Sequence, residues 1–118
     1  ALFLSANAVQ NIGFALHELV TNAYKHGALT SPQGRVLVKW RGPQSDGRVY
    51  LEWIERDGPP IRPPEREGFG SLVITELVAQ ALQGTAKLDF NRDGIHWRLD
   101  IPATFVLTDP PTGTAIST

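Results

Sequence analysis

The 118-residue chain contains no cysteine and no methionine. The lack of cysteine excludes a disulfide framework and a thiolate metal site, and it is typical of a reducing compartment, so we expect a cytoplasmic location. No apolar run reaches bilayer-spanning length and no segment has the pattern of a signal peptide, so we expect no direct membrane contact. Because methionine is missing even at position 1, we expect the chain to be a fragment of a longer protein.

The chain also lacks a charge excess of either sign. Its 11 basic and 12 acidic residues give a formal net charge of −1. This balance provides no general electrostatic reason to bind nucleic acid, so we expect no nucleic-acid partner and only local phosphate binding. With 42% hydrophobic residues, the chain is long enough to form one domain around one core.

The most regular pattern in the sequence predicts a long first helix. Ser5 or Asn7 is a suitable N-cap, and the helical period continues to His26, with Gly27 as the stop signal. Gly13 is the one weak position within this span, because glycine lowers helix stability.

Three polar residues of this helix fall on one stripe. At about 100° per residue, Glu18, Asn22 and Lys25 lie close together because they occupy positions i, i+4 and i+7. The apolar residues occupy a neighbouring arc, so the stripe borders a buried face. The residues of that arc are Ala8, Ile12, Ala15, Leu16, Leu19 and Ala23. A ligand is therefore expected to lie along this border.

The rest of the chain predicts a sheet and a second helix. Alternating patterns indicate two antiparallel hairpins, separated by a helix that Ser71 caps and Gly84 ends. This order indicates an α+β fold, a two-layer sandwich with helices on one face of a mixed, mostly antiparallel sheet. We expect residues 1–103 to form the domain and residues 104–118 a flexible C-terminal tail. The predicted strands are 35–40, 48–55, 85–90 and 96–101.

A loop rich in proline and glycine precedes the second helix. Residues 57–70 contain four prolines and three glycines, which excludes regular helix and central strand and is typical of a lid or binding segment. Gly68, Phe69, Gly70 and Ser71 come directly before the helix. Free backbone amides and the positive end of the helix dipole converge at such a point, so it is a candidate phosphate site.

The stripe on the first helix has the side chains that nucleotide chemistry needs. Asn22 has an amide oxygen suited to Mg²⁺, which takes few protein ligands. Glu18 is suited to hold a metal-bound water or to act as a general base. Lys25 is a compact cation suited to phosphate.

A purely structural explanation stays open for the same residues. The stripe is also typical of a solvated helix face held by ordinary side-chain pairs. His17 and His26 are nine positions apart, on opposite sides of the helix, which argues against a shared metal site. Trp53 is suited to the core, Glu55 to a strand end, and Asp57 to a turn.

Three ordered motifs resemble a known family. Together they are similar to the catalytic and ATP-binding domain of the HWE sensor histidine kinases, which belong to a wider group that includes gyrase, heat-shock chaperones and the MutL proteins. The resemblance covers residues 5–102. Its motifs are His17-Glu18-Leu19-x-x-Asn22-Ala23-x-Lys25-His26-Gly27, then Trp53-x-Glu55 ahead of Gly58-Pro59-Pro60, then Gly68-Phe69-Gly70-Ser71.

On the first helix, the resemblance implies catalytic and metal-binding roles. Asn22 matches the asparagine that binds Mg²⁺, and Glu18 matches the acid beside it that assists the metal water or the reaction. Lys25 and His26 match positions that face the phosphates of ATP. His17 is a family signature with a structural role.

The resemblance also implies the adenine site and the lid. Glu55 falls where the wider group has the aspartate that accepts from the adenine amine, and Gly58 belongs to the first glycine box. Family members often have glycine where this chain has Asp57, so either acid is a candidate for the adenine contact. The second glycine box and its flank, which close the lid over the nucleotide, are Gly68, Phe69, Gly70, Ser71 and Leu72.

The function implied by the resemblance is histidine phosphorylation. The domain is expected to bind ATP and Mg²⁺ and to donate the γ-phosphoryl group to a histidine on a separate dimerisation domain of the same protein, from which it passes to a response regulator. In isolation the chain is expected to be inactive. Two alternatives stay open: a serine kinase of the anti-sigma type or a gyrase-type ATPase on the same fold, and a non-catalytic regulatory module.

Overall fold

The computed structural model describes residues 3–59, 73–92 and 94–106. These residues form a helical layer and one four-stranded sheet. The helices are α1 (Ala6–Lys25), α2 (Val73–Ala81) and the short α3 (Ala103–Val106), with a 3-10 turn at Ala28–Thr30. The strands are β1 (Arg35–Arg41), β2 (Arg48–Arg56), β3 (Thr85–Asn91) and β4 (Gly94–Pro102).

Helix α1 begins and ends close to the predicted positions. Ser5 is the N-cap, and its hydroxyl oxygen accepts a hydrogen bond from the Ala8 amide at 3.1 Å. Such a cap satisfies an amide that has no partner within the helix. The helix ends at Lys25, where the His26 amide closes the last turn by donating to the Asn22 carbonyl at 2.8 Å.

The sheet has the strand order β1-β2-β4-β3, and all three pairings in the described residues are antiparallel. β1 and β2 form the first predicted hairpin, and β3 and β4 form the second. The α+β two-layer architecture predicted from the sequence is thus confirmed, while the parallel pairing of a mixed sheet is not found among these four strands. β4 lies between β2 and β3, so the hairpins join through the central pair of β2 and β4.

Alternation along the strands gives the sheet two unlike faces. The face turned toward the helices is apolar, and its largest fully buried side chains include Trp97, Leu99 and Ile101. Leu19 of α1 and Leu82 after α2 are 0% exposed against it. Each fully buried side chain of this size contributes roughly 1.5–3 kcal/mol. The other face, called here the open face, is covered by no described helix or strand.

The predicted end of the second helix differs from the structure. Gly84 was expected to end the second helix, but α2 ends at Ala81, and Gln83 adopts the left-handed conformation with φ 59°. Gly84 instead packs against β4, where a Cβ would lie 2.3 Å from the Asp100 carbonyl oxygen. Glycine is therefore required there for close approach.

The predicted C-terminal tail is described only at its start. α3 extends regular structure through residue 106, past the expected boundary at 103, and residues 107–118 lie outside the described residues. Among the helices of residues 3–59, 73–92 and 94–106, none is long and apolar enough to cross a membrane.

Candidate functional site: the junction of the first helix and the second strand

The predicted polar stripe is present on α1 and borders its buried face. Asn22 is only 4% exposed, Glu18 is half-buried and Lys25 is exposed. The Asn22 side-chain amide donates from Nδ2 to the Glu18 backbone carbonyl at 2.8 Å. This bond identifies which end of the amide group is the oxygen and fixes its orientation. The stripe thus combines a fixed amide with a carboxylate one turn earlier and an ammonium group at the helix end.

Glu55, a candidate for the adenine contact, is a buried carboxylate. It is 3% exposed and lies on the helix-facing side of β2. Its Oε1 accepts from the Ala28 amide at 2.9 Å, and its Oε2 accepts from the Trp53 indole N–H at 3.0 Å. A buried charge requires such partners because leaving water costs it several kcal/mol. Glu55 therefore connects the segment after α1 to the sheet.

Two glycines make room for this carboxylate. A Cβ on Gly27 would lie 2.4 Å from Glu55 Oε1, and a Cβ on Gly94 would lie 2.4 Å from Glu55 Cβ. Gly27 has φ −117°, a value open to other residues, so space and not backbone conformation requires glycine there. Helix α1 itself already ends at Lys25, two residues before the predicted stop signal.

Asp57, the second candidate for the adenine contact, has a different environment. It follows β2 in the left-handed conformation with φ 58°, and its side chain is 48% exposed. Its Oδ2 accepts from Arg35 Nε at 3.2 Å in an ion pair at the end of β1. Gly58, predicted to belong to the first glycine box, is half-buried just after it.

The fold brings several predicted residues to one end of the domain. His26 caps the last turn of α1, and the next two residues, Gly27 and Ala28, contact Glu55. The end of α1 and the end of β2 therefore form one junction. The remaining predicted residues, Gly68, Phe69, Gly70, Ser71 and Leu72, lie outside the described residues. The second glycine box therefore stays a prediction.

Sequence reasoning missed the partners that hold Glu55. Trp53 and Glu55 are separated by two positions on a strand, so their side chains share a face, and this spacing was a usable signal for their hydrogen bond. Ala28 and Gly94 carried no such signal. The Ala28 amide donates to Glu55 and Gly94 packs against it, and both contacts join segments far apart in the chain, so they are recognised only once the fold is known.

Comparisons with known proteins were made by sequence and by structure, and no family model matches the chain. The chain is 37% identical over 102 residues to blue-light-activated histidine kinase 1 of Erythrobacter litoralis, a match covering 84% of this chain. It is 31% identical over 100 residues to the blue-light-activated histidine kinase of Rhizobium johnstonii, covering 85%. These matches span 28% and 29% of the relatives' own lengths, so the chain corresponds to less than a third of each.

The structure is similar to solved structures of one such kinase. The histidine kinase domain of an Erythrobacter litoralis blue-light activated histidine kinase aligns with TM-score 0.65 at 20% identity, covering 83% of this chain and 46% of that one. A longer structure of an Erythrobacter litoralis blue-light activated histidine kinase aligns with TM-score 0.66 at 21% identity, covering 84% and 31%. The fold agrees with the sequence relationship and with the three motifs, and together they identify the chain as a member of the HWE-type histidine kinase family.

Proposed function

We propose that this domain binds ATP with Mg²⁺ and positions the γ-phosphoryl group for transfer to a histidine on a dimerisation domain of the same protein. The observation that carries the proposal is that Glu18, Asn22 and Lys25 share one stripe of α1, while the buried Glu55 holds the turn that follows this helix. The Erythrobacter litoralis and Rhizobium johnstonii relatives support it, since both are named as histidine kinases. They give no support to the serine kinase, the ATPase or the non-catalytic module.

The donor set on α1 fits Mg²⁺. Asn22 and Glu18 offer an amide and a carboxylate oxygen four positions apart, and the Asn22 amide is already oriented by its bond to the Glu18 carbonyl. In nucleotide sites Mg²⁺ uses one or two protein oxygens and completes its shell with water and phosphate. When bound, the ion would neutralise charge on the phosphates. Among the described residues, no three His, Cys, Asp or Glu side chains gather into a richer metal site.

Lys25 and His26 are assigned to the phosphates. The C-terminal end of a helix carries a partial negative charge, which alone would repel phosphate. Lys25 is exposed in the last turn of α1 and offsets this charge with its ammonium group. The main contribution of these residues is to hold the reacting group in position, which is the larger part of catalysis in phosphoryl transfer. The predicted second glycine box would supply backbone amides to the same phosphates.

For the adenine amine we favour Glu55 over Asp57. Glu55 lies on the helix-facing side of the sheet beside the end of α1, whereas Asp57 is paired with Arg35 at an exposed strand end. A carboxylate has about four acceptor positions, so two bonds within the domain leave capacity for an amine. The same two bonds would hold the carboxylate in place for it.

Titration calorimetry with a nonhydrolysable ATP analogue tests the proposal. We expect binding that strengthens when Mg²⁺ is added. Replacing Asn22 with alanine should remove that metal-dependent gain, because the amide oxygen is lost. Asn11→Ala is the matched control, since Asn11 lies on the same helix and, within the described part of the chain, its side chain bonds only to Asn7. No binding up to millimolar analogue would overturn the proposal, and an unchanged Mg²⁺ dependence in Asn22→Ala would remove Asn22 from its role.

The adenine assignment and the transfer step have separate tests. Glu55→Gln should weaken ATP binding more than it weakens binding of inorganic triphosphate, while Asp57→Asn should affect both little. The reverse order would assign the amine to Asp57. Transfer is measured in the full parent protein as incorporation of labelled phosphate into histidine and then into a response regulator. Nucleotide binding without any transfer there would favour the regulatory module.

A further inference from the structure

The open face of the sheet concentrates the positive charge of the chain. Its members are fixed by the strand registers, because alternate residues of each strand point to the same side. It carries seven of the 11 basic residues but three of the 12 acidic ones. The basic residues are Arg35, Lys39, Arg41, Arg48, Arg56, Lys87 and Arg98, and the acidic ones are Glu52, Asp89 and Asp100. The rest of this nearly neutral chain is therefore acidic.

The three carboxylates of the open face are already neutralised. Asp100 pairs with Arg48 at 2.6 Å, and Asp89 pairs with Arg98 at 3.1 Å. Glu52 is approached by His96 at 3.0 Å and by Arg41 at 3.8 Å. The Arg41 side chain is 58% exposed above a Glu52 that is 20% exposed, so an approaching molecule meets the guanidinium group first.

Three exposed cations of this face have no ion-pair partner among the described residues. They are Lys39 on β1, Arg56 at the end of β2 and Lys87 on β3. Lys87 also stands directly opposite Arg98 in the register of β3 and β4. Like charges at such directly opposed positions destabilise a sheet, and an anionic partner would relieve this repulsion.

We infer that the open face docks an acidic surface of another protein. Lys39 and Lys87 lie on the two outermost described strands, roughly 14 Å apart at the usual strand spacing. Lys87, Arg41 and Arg98 line a depression of about 320 Å³ together with the paired Glu52 and Asp100, and we expect its cations to receive carboxylate side chains of the partner. The face measures roughly 450 Å² from strand spacing and rise, the size of a weak, transient signalling contact.

The arrangement of charges favours protein over nucleic acid or lipid. The ion pairs interrupt the positive charge of the face, so it offers no continuous row of free cations to the evenly spaced phosphates of a duplex or to an anionic bilayer, whereas a protein can match a mixed pattern residue by residue. Residues 60–72 contain two acids and two bases, and residues 107–118 contain one acid, so neither segment has an excess of acidic side chains to match the face. The complement is therefore not expected from these two segments.

Fluorescence anisotropy with a labelled glutamate-rich peptide tests this docking surface. We expect this chain to bind the peptide, and the affinity to fall as salt rises toward physiological strength, because such contacts are screened. The double variant Lys39→Glu with Lys87→Glu should lose about tenfold in affinity or more. Arg92→Glu is the matched control, because Arg92 is an exposed cation in the turn between β3 and β4, away from the face. It should stay within about twofold of the wild type.

The outcomes of the peptide-binding experiment separate this proposal from its alternatives. Absence of peptide binding, or equal losses in the double variant and in Arg92→Glu, would overturn the proposal. Tighter binding of a DNA duplex or of phosphatidylserine vesicles through Lys39 and Lys87 would assign the face to that polyanion instead. The double variant should keep the nucleotide affinity of the wild type, which excludes misfolding and separates this test from that of the nucleotide site.

Discussion

Glu52 and Glu55 belong to the same strand, yet the two faces of the sheet treat them differently. Glu52 on the open face is 20% exposed and is approached by His96 and Arg41, which are themselves partly in water. Glu55 on the helix-facing side is 3% exposed, accepts two hydrogen bonds and is enclosed by two glycines. The open face tolerates rearrangement of its partners, whereas the buried face depends on one fixed arrangement. The contrast predicts how substitutions on the two sides should differ.

The largest expected difference between the two faces is in the free energy of unfolding when a leucine is shortened to alanine. Leu99 is 1% exposed on the helix-facing side, and Leu37 is 43% exposed on the open face. Leu99→Ala should lower the free energy of unfolding by about 2–5 kcal/mol, because it leaves a cavity in packed surroundings. Leu37→Ala should cost less than about 1 kcal/mol, since a half-exposed side chain gains little from burial. Urea denaturation of both variants measures the difference, and equal losses would show that the faces are packed alike.

The next effect separates the two glutamates directly. Glu55→Ala removes the acceptor of the Ala28 amide and of the Trp53 indole, leaving two buried donors without partners. This should cost about 1–3 kcal/mol. Glu52→Ala should change the free energy of unfolding by about 0–1 kcal/mol, as for other partly exposed ion pairs. Both variants are compared by denaturant titration, and a larger loss in Glu52→Ala would reverse the comparison.

The smallest effect is a pH dependence at the edge of the open face. Tyr50 donates a hydrogen bond to the exposed Asp46, and this bond lowers the pKa of Asp46 and raises the pKa of Tyr50. The Asp46 contribution to stability is therefore complete above its ordinary pKa of 3.8 and is lost as the pH falls below it. The Tyr50 contribution is present below its ordinary pKa of 10.0 and is lost as the pH rises through its higher folded value.

Carboxyl titration of Asp46 by NMR, in the wild type and in Tyr50→Phe, measures this shift. The variant should bring the pKa of Asp46 back toward its ordinary value, because the hydroxyl is the largest cause of the shift. Its stability at neutral pH should change little, since the pair is exposed. An Asp46 pKa that is the same in both proteins would contradict the assignment.

Periodicity was sufficient to predict the parts of the fold that repeat. The α1 stripe of Glu18, Asn22 and Lys25 and the two hairpins follow from side-chain direction along a helix and a strand, and the structure contains them with ends shifted by one or two residues. The polarity of the open face was not foreseen. It depends on β4 lying beside β2, which no local pattern in the sequence specifies.

For the candidate site, the sequence motifs selected residues but not their tertiary contacts. Motif resemblance singled out Glu55, but the hydrogen bond that its buried carboxylate accepts comes from an amide 27 positions away in the chain. Asp57 is paired with Arg35, 22 positions away, for the same reason. Contacts of this kind arise from tertiary packing.

The position of β4 in the sheet has a consequence for how the chain folds as it is synthesised. Arg48 and Asp100 make their ion pair across 52 residues, and β2 has β4 as its second neighbour. The hairpin of β1 and β2 can form as soon as it emerges from the ribosome. One edge of β2 stays unpaired, however, until β4 has been synthesised. The domain therefore gains its cooperativity late, and a ribosome-stalled chain ending after β3 should remain protease-sensitive.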